Sequence, residues 1–292
     1  IKGFITGPPP PAILNVPLST GPMCRTLRDM DLLMRSLLSC DIQESDLSLI
    51  PFSWTGLQTP RLRKLKIGIV ADDGFIEPQP PIKRAIAWIR ETLSSAQYAD
   101  LVEIKEFAVI GAADAWSNIK KMYWPDGGQL TRNQILAAGE PIHPLTDWIY
   151  HGERSGGMLT AAEITSLRHT RDEIRRAFAE SWRAQDVDVV IGPAFVGPAC
   201  SHDTALYWTY TSLYNMVDYP AAVFPTPIKS EYAERYSKKY RPLSDACRNI
   251  KAFWDKGNFE NAPVNLQLVA PRYRDNQLFG ALQLLQDLLS LP

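Results

Sequence analysis

Val187-Asp188-Val189-Val190-Ile191 is short, mostly apolar and β-branched, and it stops at Gly192-Pro193. That pattern predicts a strand buried on both faces, because Val and Ile fit a pleated surface and proline cannot donate to a ladder beyond it. Two Gly-Pro steps, Gly192-Pro193 and Gly197-Pro198, favour turns in the loop that follows. Leu206, Tyr210, Leu213 and Val217 then recur at helical spacing, and the pattern ends before Pro220. Ala221 to Phe224 returns to a short apolar strand. The whole reads as a strand–helix–strand unit with a connection long enough for a parallel crossover. Ligands of such sheets sit outside the carboxyl ends of the strands, so the loop from Gly192 to His202 is expected to form one wall of a pocket.

The same alternation organises the rest of the chain. Leu65 to Val70 predicts a strand, Asp72-Asp73-Gly74 a turn, and Pro80-Pro81 a helix start. Ile82, Ala85, Ile86, Ile89 and Leu93 share one face of that helix, and Leu101 to Val109 alternates as a third strand, completing a βαβ unit. Leu27, Met30 or Asp31, Met34, Leu37 and Leu38 form the stripe of an earlier helix, on which Arg25 and Asp29 are spaced to pair. Gly111 to Ala184 is mainly helical, with the longest helix over Ala161 to Gln185. Lys229 to Asn261 reads as a charged, Tyr-rich excursion, followed by a strand at Val264 to Val269 and a helix at Leu278 to Leu291. The fold class expected is α/β: a mixed, largely parallel sheet sandwiched between helical layers, in one domain spanning 1–292.

Composition narrows the function. Hydrophobic content of 45% and charged content of 22% are ordinary for a globular protein, and a net charge of -1 leaves no electrostatic footprint for nucleic acid. No apolar run approaches the roughly 20 residues needed to span a bilayer. Cys24, Cys40, Cys200 and Cys247 show no CxxC spacing, which points to reduced thiols and a cytoplasmic protein. His143, His151, His169 and His202 lack metal-ligand spacing, and there is neither a P-loop nor a dinucleotide fingerprint, so no metal and no cofactor is implied. Cys200-Ser201-His202-Asp203 puts a thiol, an imidazole and a carboxylate on the pocket loop. Adjacent residues rarely point at one another, and an ordinary loop is the better reading.

Six segments, in order, resemble the amidase signature family and its fungal acetamidase-like branch. Lys2-Gly3-Phe4 is similar to the family's GFRP segment, and GPMCRTLRDMDLL from Gly21 to the helix that follows it. Lys66 to Ile86 resembles its strand, acidic turn and Pro-Pro helix start, and Tyr123 to Pro144 its PDGG stretch. Asp188 to Phe224 and Asn261 to Val269 complete the series. Pro8 to Pro11 departs from the pattern, where a Gly-Arg pair is common.

The resemblance implies hydrolysis of a carboxylic amide by a serine nucleophile, a second serine in a cis peptide and a lysine base. In the family all three lie before the GFRP segment, so no catalytic residue is expected in this chain. Ser155-Gly156-Gly157 falls in the wrong place relative to the flanking segments and reads as a turn between helices. Phe195 and Trp208 are candidates to line an acyl-side pocket. Asn215 matches the family's asparagine, with a structural hydrogen bond expected before a substrate contact. Tyr210 is expected in the core. The expected partners are a small amide and either the missing amidase segment or a further copy of the chain, since an incomplete sheet exposes apolar faces and an edge. Two readings follow: the carboxyl part of an amidase lacking its Ser–cis-Ser–Lys triad, or a non-catalytic amidase-like binding or assembly protein.

Overall fold

The computed structural model describes residues 15–44, 49–60, 63–152, 157–232 and 234–291. Lys2 to Phe4, Pro8 to Pro11 and Ser155-Gly156 lie outside the described residues.

The first helix of the described residues is α1 (Leu27–Leu38), whose N-cap Thr26 accepts a hydrogen bond from Asp29 N. Strand β1 (Leu65–Ile69), helix α2 (Pro80–Leu93) and strand β2 (Val102–Glu106) form the expected βαβ unit, with β1 and β2 parallel. A helical stretch follows: α3 (Ala112–Tyr123), α4 (Gln129–Ala137), the short α5 (Pro144–Asp147) and the long α6 (Ala161–Ala184). A capping box at Thr160 and Glu163 starts α6. Then come β3 (Val189–Pro193), α7 (Thr209–Val217), β4 (Ala221–Lys229), α8 (Asp245–Lys256), β5 (Pro263–Val269) and α9 (Asp275–Leu289).

Among the described residues the five strands form one mixed sheet in the order β2-β1-β3-β5-β4. β3 lies parallel to β1, while β5 runs antiparallel to both β3 and β4. Four strands therefore share one direction and β5 alone is reversed. The crossover expected from β3 to β4 exists, but the two strands are not neighbours. β5 returns between them and separates them by one strand. β4 also extends through Pro225 and Pro227 to Lys229 instead of stopping at Phe224, which an edge strand tolerates because its outer side has no ladder to break.

Side-chain alternation along each strand splits the core into two layers. Ile67, Ile69, Val189, Ile191, Leu266 and Leu268 face α2 and α9, and Val70, Phe107, Val190 and Val269 face α3, α6, α7 and α8. α8 was hidden within the charged stretch from Lys229 to Asn261. Its Ser244 N-cap and the stripe Ala246, Cys247, Ile250 and Trp254 carry the helical signal between charged positions. α1 differs from its stripe in one respect: Asp31, not an aliphatic residue, is its buried position. Asp31 accepts hydrogen bonds from Arg35, Trp54 Nε1 and Leu57 N, at 2.8, 2.9 and 3.3 Å. Asp29 stands 4.0 Å from Arg28, not against Arg25.

Candidate functional site

β1, β3 and β4 all end on one edge of the sheet, and the connections that leave them meet there. β1 runs into the acidic turn, where Asp72 Oδ1 accepts from Gly74 N at 2.9 Å. Asp73 turns inward instead and is 3% exposed. Its Oδ1 accepts from Phe75 N at 2.9 Å and Ile76 N at 2.6 Å. The loop after β3 is held against this turn: Gln79 N donates to Val196 O at 2.8 Å, and Gly197 presses on the Gln79 side-chain amide so closely that a Cβ there would overlap it. From β5, the buried Gln267 donates Nε2 to Pro193 O at 2.7 Å and to Tyr210 O at 2.8 Å. One side chain therefore ties the end of β3 to the first turn of α7.

The helical spacing of Leu206 suggested a helix through that residue, but α7 starts only at Thr209. Tyr207 interrupts it with φ 59°, a left-handed backbone that costs a bulky residue about 1–2 kcal/mol. Tertiary contacts hold it there. The Tyr207 ring packs edge-on against Trp148, centroids 5.3 Å apart, and its hydroxyl accepts from Asn249 Nδ2 at 2.7 Å. The next residue, Trp208, is thereby turned against α3. Its indole meets Trp116 edge-on at 4.6 Å and lies 5.7 Å from Tyr123, tilted by 31°.

Asn215, two turns along α7, is exposed and donates Nδ2 to the Tyr123 hydroxyl at 3.1 Å. Burial pushes the Tyr123 phenol above its ordinary pKa, and the Asn215 bond pulls it partly back. Trp208 and Asn215 are thus brought together on either side of Tyr123. Phe195 is half-buried and packs on the same core layer, but among the described residues no ring contact joins it to Trp208. Tyr210 is buried, and its hydroxyl donates to Ile76 O. Sequence reasoning placed Tyr207 in an aromatic cluster on the helix and did not single out Tyr123, Trp116, Asp73 or Gln267 as site residues. Only the acidic turn carried a signal, and it did not say which aspartate turns inward.

The Cys200 to Asp203 constellation does not assemble. All four residues are exposed, no hydrogen bond joins Cys200 to His202 among the described residues, and Asp203 Oδ1 lies 3.0 Å from His143 Nε2. Leu145 N donates to His143 Nδ1 at 3.2 Å, so Nε2 carries the proton offered to Asp203. Among the described residues no group of three or more His, Cys, Asp or Glu side chains is placed to hold a metal. Among the described residues no helix is long and apolar enough to cross a membrane. A groove of about 580 Å³ between α3 and α6 is separate, lined by Asp114, Asn118, Lys121 and Leu167 among others and by none of Phe195, Trp208 or Asn215. Trp116, Tyr123 and Trp208 thus form an aromatic cluster with one phenol and one exposed amide, Asn215, at its edge.

Comparison with known proteins agrees with this architecture. The sequence profile of the family described as Amidase matches residues 11–279. A protein named as an amidase in Schizosaccharomyces pombe is 34% identical over 272 residues, which cover 92% of this chain and 49% of that protein. The acetamidase of Aspergillus oryzae is 22% identical over 281 residues, covering 92% of this chain and 50% of the enzyme. Among solved structures, fatty acid amide hydrolase superposes with a TM-score of 0.84 at 30% identity, covering 93% of this chain and 48% of that one. The chain spans about half the length of these relatives.

Proposed function

The chain belongs to the amidase family, and we propose that it is the carboxyl-terminal region of a hydrolase that cleaves the C–N bond of carboxylic amides. The observation that carries this reading is the family match over 11–279, combined with an aromatic wall at the strand ends where ligands of such sheets bind. In this reading the chain supplies half of the sheet and the walls of the substrate pocket. Trp208 and Phe195 pack on the acyl group, and the Tyr123–Asn215 pair offers a polar handle to it. The acyl-accepting serine, the relaying serine and the lysine base come from sequence outside the chain. Acyl transfer to that serine would release the amine, and water would then free the acid. The setting is a cytoplasmic protein with reduced thiols.

A second reading is favoured by one observation: α1 buries only Asp31 and leaves Leu32 62% and Leu33 42% exposed. Such a surface fits a non-catalytic binding or assembly protein that associates with a further copy or with another amidase segment.

Hydrolysis of a panel of simple amides, with a serine-reactive probe alongside, separates the two. The first reading expects no turnover and no labelling from the 292-residue chain, and both on adding an amino-terminal amidase segment in cis or in trans. Amide binding without turnover in either format supports the second. Turnover by the chain alone would overturn the assignment of the nucleophile to outside sequence.

A further inference from the structure

Two oxygens buried near the start of α7 have no well-aligned hydrogen-bond partner. One is Asp73 Oδ2, from a residue 3% exposed, and the other is Thr209 Oγ1, from a residue 2% exposed. Orphaned buried polar atoms are rare in native proteins, and each one demands a physical reason. The turn that carries Asp73 is bound to α7 at the neighbouring residue: Ile76 N donates to Asp73 Oδ1 and the Tyr210 hydroxyl donates to Ile76 O. Burial raises the Asp73 pKa and the Thr209 hydroxyl works to lower it, in keeping with that closeness. The rest of the carboxylate is fixed, because Oδ1 is occupied by the backbone N–H groups of Phe75 and Ile76.

The position of this pair is specific. Thr209 is the first residue of α7, and the N-cap position is Trp208, whose side chain cannot accept a bond and caps nothing. The amino end of α7 therefore lacks a side-chain cap. A carboxylate beside it interacts favourably with the positive end of the helix dipole. Immediately before lies Tyr207 in its left-handed backbone. Strain, a missing cap and one unsatisfied hydroxyl thus coincide within Tyr207 to Thr209, where the chain turns the Trp208 indole toward Trp116 and Tyr123, and Asp73 of the turn after β1 holds the second unsatisfied oxygen.

We propose that Asp73 is a positioning residue: the Thr209 hydroxyl donates to Asp73 Oδ2, and this bond sets the first turn of α7 and with it the angle of the Trp208 indole in the pocket wall. The bond satisfies both orphans at once. It joins the turn after β1 to α7 as Gln267 joins β3 to α7, so the wall is held from both sides. The role in amide binding rests on the reading that Trp208 lines an amide pocket. The bond itself does not.

Two measurements on the 292-residue chain separate those claims. The first follows the Trp208 indole N–H signal by NMR in the unliganded protein, assigned through Trp208→Phe. Thr209→Val and Asp73→Leu are expected to move it. Thr209→Ser, which keeps the hydroxyl, is expected to leave it in place. Asp73→Asn is expected to move it less than Asp73→Leu, because the amide can donate to Thr209. An unmoved signal in folded Thr209→Val, or an equal shift in Thr209→Ser, would overturn the inference. The second titrates benzamide and reads the same signal. Thr209→Val is expected to weaken binding about five- to tenfold, the scale of one lost hydrogen bond, with Thr209→Ser restoring it. Equal affinity in wild type and Thr209→Val would remove Asp73 from substrate positioning. If the wild type binds no benzamide, the amide-pocket reading fails, and the indole signal still decides the pair.

Discussion

Gln267 and Tyr210 are joined by a 2.8 Å hydrogen bond from the side-chain amide of one to the main-chain carbonyl of the other. The same amide donates to Pro193 O, and Gln267 is 2% exposed. A reversed strand thereby fixes how α7 leaves the loop after β3. Replacing Gln267 by Leu keeps most of the volume and strips both carbonyls of this donor. The expected cost is about 1–3 kcal/mol, read as a lower urea midpoint at unchanged slope.

Gly197→Ala is expected to destabilise the chain by about 1–3 kcal/mol, because its Cβ would overlap the Gln79 amide in a buried loop. Gln79→Ala removes the obstructing group. In the double variant the cost of the added methyl should fall below its cost in the single one. Additive thermal shifts would show that the contact is not the cause.

Asp31 gives a pH dependence of one sign. Burial works to raise its pKa, but the donors Arg35, Trp54 and Leu57 N–H outweigh it, so the carboxyl titrates below its ordinary range. A folded pKa below the unfolded one gives stability that is present above the unfolded value. That stability is lost as pH falls through the folded value. Asp31→Asn should therefore be less stable than wild type at pH 7, and the gap should close in acid. Denaturant midpoints across that range check it.

Asp73 gives the opposite sign. Burial raises its pKa, and the Ile76 and Phe75 amides and the Thr209 hydroxyl offset only part of the rise. A raised folded pKa means that stability present below the unfolded value, about 3.9, is lost as pH climbs through the folded one. Asp73→Asn, which stays neutral, should gain on wild type over that window and hold a constant advantage above it. A wild-type advantage that grows with pH would contradict the burial argument.

Trp208→Ala removes the indole between Trp116 and Tyr123. Under the amide-pocket reading it should weaken binding of an aromatic amide at least tenfold, on the scale of about 1.4 kcal/mol, by isothermal titration. Asn215→Ala, which removes one exposed polar handle, should weaken it less.

Much of the fold could be read from local pattern. The βαβ unit, the β-branched run of β3, the two prolines opening α2 and the stripes of α6 and α9 each follow from a period of 2 or 3.6 and a terminating residue. α8 escaped because charge dominated its stretch. The candidate site was less legible. Trp208 and Asn215 could be named from sequence, but Tyr123, 92 residues from Asn215, could not, since nothing in spacing links two helices that far apart.

What the sequence determined by itself is the set of elements, because periodicity and end signals act over a few residues. It also carried the family resemblance, because ordered motifs survive as text. Tertiary structure alone decided that β5 returns between β3 and β4, that Asp73 and not Asp72 turns inward, and that Tyr207 adopts a left-handed backbone. The reason is common to all three. Each depends on which buried groups find partners, Gln267 with two carbonyls, Asp73 with two amides and Tyr207 with Asn249, and those partners lie tens of residues away or across a turn that local preference leaves undetermined.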